Sequence, residues 1–343
     1  MSLKQLIISH SALALLIVVG SCSSGPLDEK NNNDIDPSIA FKTYENCSNT
    51  KSEVTTKANL KQFNVFSFQT AADINYSVDT PEFMFNKAIS LVDGNWTYSP
   101  IRYWPDDNSK LSFWAYGPTD NTQPDIQLLS PKDRAGAPLL SYTLSSDSKN
   151  IKDFVVSEPV ENRTKANPNV AFQFSHALAK VNLNFKLAST FPIASNEKVY
   201  LEYISIGPIL SYREYSHPAW TAEDPTKKNY KYELSIEEDE LKNIQISKNA
   251  QNLINDDVKL LMIPGSTTDV DMFFKITIER YNGNKLIESS TIVYKALLSS
   301  FVRDLKINSE YTLSLTFVEK NSISITATVK DWTVKEIQLP SFE

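Results

Sequence analysis

The residues able to do chemistry are few and scattered. The chain has three histidines, His10, His176 and His217. His10 lies in a leading apolar segment that secretion would remove, so a histidine-based triad or zinc site has at most two to draw on. His176, between Phe174 and Leu178 at a strand end, suits a hydrogen-bonded structural role. His217 sits beside Pro218 and Trp220 in a loop. Asp256-Asp257 and Asp269-Val270-Asp271 offer oxygens for calcium, but that ion takes roughly six to eight and no complete loop motif surrounds them. They read as solvated turns. Glycosidic chemistry needs two positioned carboxylates, and nothing singles out a pair among 41 acidic residues. The 8 glycines form no dinucleotide fingerprint. Gly20 and Gly25 have the separation of a phosphate loop, but Pro26-Leu27 stands where Lys-Ser/Thr is needed. With no nucleophile–base motif, the expectation is a protein that is not an enzyme and takes no cofactor or metal.

The aromatic cluster Trp96, Tyr98, Tyr103, Trp104, Phe113, Trp114 and Tyr116 is the other concentration of chemistry. Such rings could stack on sugars. They also fill pleated, half-buried surfaces, so a place in the core and its rim is the expectation. Lys+Arg 34 against Asp+Glu 41 gives a net charge of -7, which argues against a nucleic-acid-binding face.

Cys22 carries the clearest covalent signal. It follows Lys4, an apolar run to Val19, and the small residues Gly20 and Ser21. The run is shorter than the ~20 apolar residues of a spanning helix and is interrupted by Ser9-His10-Ser11, so it reads as a secretory signal over residues 1–21. Val19-Gly20-Ser21-Cys22 resembles a bacterial lipobox, in which cleavage precedes the cysteine and the thiol is diacylated. Each buried methylene contributes about 0.8 kcal/mol, and more than one chain makes anchoring stable. The polar, acidic stretch that follows cannot bury enough surface to fold and reads as a flexible tether. Its Asp28-Glu29-Lys30 cluster is similar to acidic signals that send Bacteroidetes lipoproteins to the cell surface. With Cys22 acylated, Cys47 has no partner for an internal disulfide, and it reads as structural or incidental.

These features must be carried by strands. Val181, Leu183, Phe185 and Leu187 alternate with polar residues, as do Ile323, Ile325, Ala327 and Val329, the period of a half-buried strand. Similar patterns occupy 63–68, 111–116, 170–175, 199–206, 258–263, 272–278, 287–294 and 311–317. Helical periodicity is confined to brief candidates such as 237–244. The expectation is an all-β chain of two antiparallel β-sandwich domains, divided in the polar run 161–169. Residues 118–125 and 219–228 read as loops.

Four phrases in order resemble the fimbrillin-like family of Bacteroidetes, the Mfa/FimA-type pilins of type V pili. They are Ile101-Arg102-Tyr103-Trp104-Pro105 with Leu111-Ser112-Phe113-Trp114-Ala115-Tyr116-Gly117-Pro118; Phe172-Gln173-Phe174-Ser175-His176-Ala177-Leu178-Ala179-Lys180-Val181; Leu260-Leu261-Met262-Ile263-Pro264; and Asn308-Ser309-Glu310-Tyr311 with Val329-Lys330-Asp331-Trp332. Gly265 departs from the glutamine many relatives carry after that proline. The resemblance spans roughly Lys57 to Trp332.

It implies two transthyretin-like sandwich domains, here residues 58–165 and 166–343, behind a tether and removable segment at 22–57. It implies a fimbrial subunit, exported as an outer-membrane surface lipoprotein and assembled for adhesion to a host or bacterial ligand. A trypsin-like protease would remove the N-terminal strand, and the exposed edge would accept a strand from another pilin subunit. Lys51, Lys57 and Lys61 are basic candidates, and Thr55-Thr56-Lys57-Ala58 best matches the family junction, which places cleavage after Lys57. The short tail 333–343 leaves little to donate and favours a tip or accessory subunit over a stalk. The alternative is a surface glycan-binding lipoprotein, which would need at least two of the seven aromatics exposed on one flat face.

Overall fold

The computed structural model describes residues 38–44, 55, 60–119, 125–147, 150–227, 230–234, 244–252 and 260–332. Cys22, Cys47, Lys51, Lys57 and Asp256-Asp257 lie outside these residues, as do 237–243 of the helical candidate. Among the described residues the regular structure is strand, save for short 3-10 turns. The first strands are β1 (Phe41–Tyr44), β2 (Gln62–Thr70), β3 (Met84–Val92), β4 (Asn95–Thr97), β5 (Lys110–Gly117), β6 (Ile126–Leu128), β7 (Leu139–Thr143), β8 (Val155–Ser157), β9 (Val160–Arg163) and β10 (Val170–His176). Then come β11 (Ala179–Leu187), β12 (Glu197–Ile209), β13 (Tyr212–Ser216), β14 (Ala219–Trp220), β15 (Tyr230–Leu234), β16 (Gln251–Asn252), β17 (Leu261–Met262) and β18 (Gly265–Ser266). The last are β19 (Asp271–Asn282), β20 (Lys285–Leu297), β21 (Asp304–Leu305), β22 (Ser309–Glu319) and β23 (Ser322–Asp331).

The later strands make a sandwich. One sheet runs β16-β11-β22-β23, with β17 also on β11, and the other runs β15-β12-β19-β20. Burial alternates residue by residue along β19 and β22, as expected where each sheet turns one face to the core and one to solvent. Phe185 meets Phe274 and Phe317, and Tyr294 meets Phe317 at 4.9 Å, closing the layer between the sheets.

The earlier strands form an eight-stranded sheet, β1-β10-β8-β5-β2-β3-β4, with β9 on β5. Here the period-two signal blurs, and the structure explains why. Every residue from Leu111 to Gly117 of β5 is buried. Leu111, Phe113 and Ala115 face one apolar cluster, whereas Trp114 and Tyr116 belong to another that extends through the later sandwich. A strand covered on both faces loses its polar alternation. The second face is covered partly by a small sheet, β14-β13-β7-β6, in which Leu139–Thr143 pairs with Tyr212–Ser216. The described residues from Ser38 onward belong to one compact unit.

Pairings among the described strands are antiparallel except for β1 with β10 and β11 with β22. Two stretches read as irregular also contain structure. The polar run 161–169 begins inside β9, paired with β5 through Leu111–Arg163, and 219–228 holds β14 and a 3-10 turn at Pro225–Lys227. Both are short edge elements recruited by longer neighbours, which local patterning does not register.

Candidate functional site: the first strand and its groove

β1 lies at the edge of the large sheet, pairing in parallel with β10 in the register Phe41↔Val170 to Tyr44↔Gln173. The alternation Ile39-Ala40-Phe41-Lys42-Thr43 makes it amphipathic: Ile39, Phe41 and Thr43 are buried while Ala40 and Lys42 are exposed. That period was available in the sequence, although it is too short to stand out beside the longer strands. The Phe41 ring sits among Tyr98 at 5.5 Å, Phe172 at 5.8 Å and Phe113 at 5.9 Å. Polar contacts pin the strand along its length. Ile39 N–H donates to the Arg102 carbonyl at 2.9 Å, Tyr98 Oη donates to the Ile39 carbonyl at 2.9 Å, and Trp96 Nε1 donates to Thr43 Oγ1 at 3.2 Å. The segment therefore plugs an apolar groove whose opposite wall is aromatic.

The plug is attached at one end of a sheet and not woven through it. Phe41→Ala should remove most of its apolar hold, worth about 3 kcal/mol for a buried phenylalanine. Hydrogen exchange should then show protection lost at 41–44 and 170–173, with the global unfolding transition little changed, since edge segments open locally.

Beyond the end of β10 the N-terminal segment is held again. Thr55 is buried, and its N–H donates to Asp153 Oδ2 at 2.8 Å. The same oxygen lies 2.9 Å from His176 Nδ1, and Phe154 N–H donates to Asp153 Oδ1 at 2.8 Å. Burial opposes the charge on Asp153, but the neighbouring His176 and these donors outweigh it and hold the carboxyl below its usual range. The His176 ring stacks on Trp332 with centroids 3.7 Å apart, and its N–H donates to Asn308 Oδ1 at 3.3 Å. Trp332 N–H in turn donates to the Asn308 carbonyl at 2.8 Å. A cavity of about 370 Å³ opens here, lined by Thr55, Glu158, His176, His217 and Trp332 among others. No sequence motif marks Asp153, because its partners are 98 and 23 residues away.

This all-β chain has counterparts among known proteins. The family model described as Fimbrillin-like matches residues 49–332. The chain belongs to the fimbrillin-like family. One relative, the fimbrium subunit Fim1C of Phocaeicola vulgatus, is 24% identical over 380 residues, covering 97% of each chain. A crystal structure of a fimbrial protein from Bacteroides vulgatus superposes with a TM-score of 0.71 at 23% identity, covering 86% of this chain and 99% of that one.

The remaining candidate residues of this fimbrillin divide sharply. Of the seven aromatics, Trp104, Phe113, Trp114 and Tyr116 are buried, and Trp96 and Tyr98 are half-buried beside β1. Tyr103 alone of the seven is exposed, so they present no flat sugar-stacking face. Burial pushes the Tyr116 hydroxyl up to about 12. His176 is the hydrogen-bonded structural histidine expected. His217 is half-buried against Trp114, and burial lowers its pKa against the pull of Glu158 and Glu161. Asp271 pairs with Lys295 at 2.9 Å, and among the described residues no three metal-ligating side chains converge.

Lys61 is a poor place for a cut, since its carbonyl accepts from Leu91 N–H at 2.8 Å and its neighbour Leu60 is buried. Gly265 packs closely against the ends of two side chains. A Cβ there would stand 2.5 Å from Glu223 Oε1 and 2.6 Å from Leu210 Cδ1, and Glu223 Oε1 accepts from Ser266 N–H at 2.6 Å. Two long edges also stand unpaired in the described residues, β20 and β23, with Ile287, Val293 and Val329 more than half exposed.

Proposed function

We propose that this fimbrillin is a fimbrial subunit, tip, accessory or stalk in position, exported as a lipoprotein diacylated at Cys22. A protease cuts after Lys57 at the cell surface, and the subunit then assembles by strand exchange into an adhesive fimbria. The observation that carries the reading is that the strand lying ahead of Lys57 is a plug. Ile39, Phe41 and Thr43 fill a groove beside β10 that the body of the protein lines with Tyr98, Phe113 and Phe172. Cleavage after Lys57 would free that segment and leave the β10 edge with unpaired main-chain groups above an apolar trough. An edge in that condition is a template for another strand, and main-chain bonds with alternate side chains in pockets make a tight joint. The exposed edges β20 and β23 offer further surfaces for neighbours.

In this reading residues 58–165 and 166–343 are two sandwich domains that share an interface through β7 and β13. Before cleavage the acyl chains hold the subunit at the outer membrane. Among the described residues no helix is long and apolar enough to cross a membrane.

The test is expression of Cys22→Ala and Lys57→Ala variants in the native host. The first should lose lipid labelling and surface display, and the second should persist as uncut precursor absent from polymer. Normal surface polymer from both variants would end the proposal.

A further inference from the structure

Asp153 is inaccessible to solvent, and a buried carboxylate survives only if its oxygens are hydrogen-bonded. Two of its donors, Phe154 N–H and His176 Nδ1, belong to the body of the protein. The third, Thr55 N–H, belongs to the segment ahead of Lys57. The acceptor is preorganised, because His176 is itself fixed by its stack on Trp332 and by Asn308. The donor is a main-chain group, so the contact reads the position of a segment and not its side chain.

We propose that Asp153 is the main-chain anchor at the end of the strand groove. It accepts one main-chain N–H at the end of β10: that of Thr55 in the precursor, and an equivalent one in the strand of a second fimbrillin subunit after cleavage. The inference rests on the strand exchange proposed above. It defines the incoming strand chemically. Apolar or β-branched residues must alternate where Ile39, Phe41 and Thr43 now sit. At the place of Thr55 the strand must carry a free amide, which excludes proline, and no carboxylate, which Asp153 and the adjacent Glu158 would repel. A segment that places no N–H at Asp153 leaves a buried carboxylate short of a donor, so the charge penalises its binding.

The experiment uses the full chain with a site-specific protease sequence inserted after Lys57. The cut protein is mixed with labelled synthetic peptides spanning 38–57, and their uptake is followed by fluorescence anisotropy. Three peptides are compared: the natural sequence, a Thr55→Ala peptide, and one with an ester replacing the Val54–Thr55 amide, which deletes the N–H alone. Loss of a hydrogen bond to a charged group should weaken the ester peptide by about 10-fold or more, while Thr55→Ala stays within about 3-fold of the natural peptide. In an Asp153→Asn protein the gap between ester and amide should shrink to about 3-fold or less, because the charge is gone. An ester peptide that binds as well as the natural one overturns the assignment and leaves the groove reading standing. An ester penalty undiminished in Asp153→Asn also overturns it. If that variant does not fold, the comparison on the unaltered protein decides alone. Cut protein that takes up no peptide refutes strand exchange, and this inference with it.

Discussion

Asp153→Ala is expected to lower the unfolding free energy of the uncut protein by about 3 kcal/mol, because it strips the acceptor from several buried donors at once. Thr55 N–H, Phe154 N–H and His176 Nδ1 all bond to this one carboxylate. The neighbouring cavity can admit water to only part of the site, so the orphaned groups are poorly compensated. The pH dependence follows from the sign of the shift. The Asp153 carboxyl lies below its ordinary value in the folded chain. Its contribution is therefore complete above the unfolded pKa of about 3.9 and disappears as the pH falls through the folded value. Urea denaturation between pH 7 and acid should show wild type losing stability below about pH 4, while the Asp153→Ala curve is flatter and lower throughout. Parallel curves for the two proteins would remove Asp153 from the account of acid sensitivity.

Trp114→Ala should cost about 4 kcal/mol, at the upper end for core truncations. Trp114 is 2% exposed and stacks on Phe66, Tyr116 and Tyr215 with centroids 5.7, 6.0 and 6.4 Å apart. Tyr215 comes from β13, beyond the proposed boundary at residue 165, so this indole joins the large sheet to the small sheet built from both halves. Equilibrium denaturation should keep a single transition in wild type, with the midpoint lowered in the variant. A variant curve that splits into two steps would show that Trp114 carries most of the coupling between the halves. An unchanged midpoint would mean that the stack contributes little.

Much of the architecture was legible locally. β11, β19, β22 and β23 carry the alternation Val181-Leu183-Phe185-Leu187 and its equivalents, because each turns one face to a core and one to water. The phrase around Trp104 and the run from Phe172 to Val181 placed the chain beside the fimbrillins before any strand was paired. The same runs are buried in the fold: Trp104, Phe113 and Trp114 fill the core, and His176 is bonded to Asp153. Their chemistry is that of packing. Where the sheet is covered on both faces, as at β5, burial erased the alternation and with it the signal.

The sequence by itself determined the period-two strands, the scarcity of catalytic groups and the family. Each is a property of residue type at short separation. Only the tertiary structure decided that Phe41 lies beside Val170, that Thr55 reaches Asp153, and that His176 stacks on Trp332. Those partners come from distant parts of the chain, and their meeting is set by which sheet faces are left to be covered once the long strands have paired. Nothing in the run around Asp153 announces a buried carboxylate. Its role exists because the fold brings a donor from the N-terminal segment and a histidine from the end of β10 to the same oxygen.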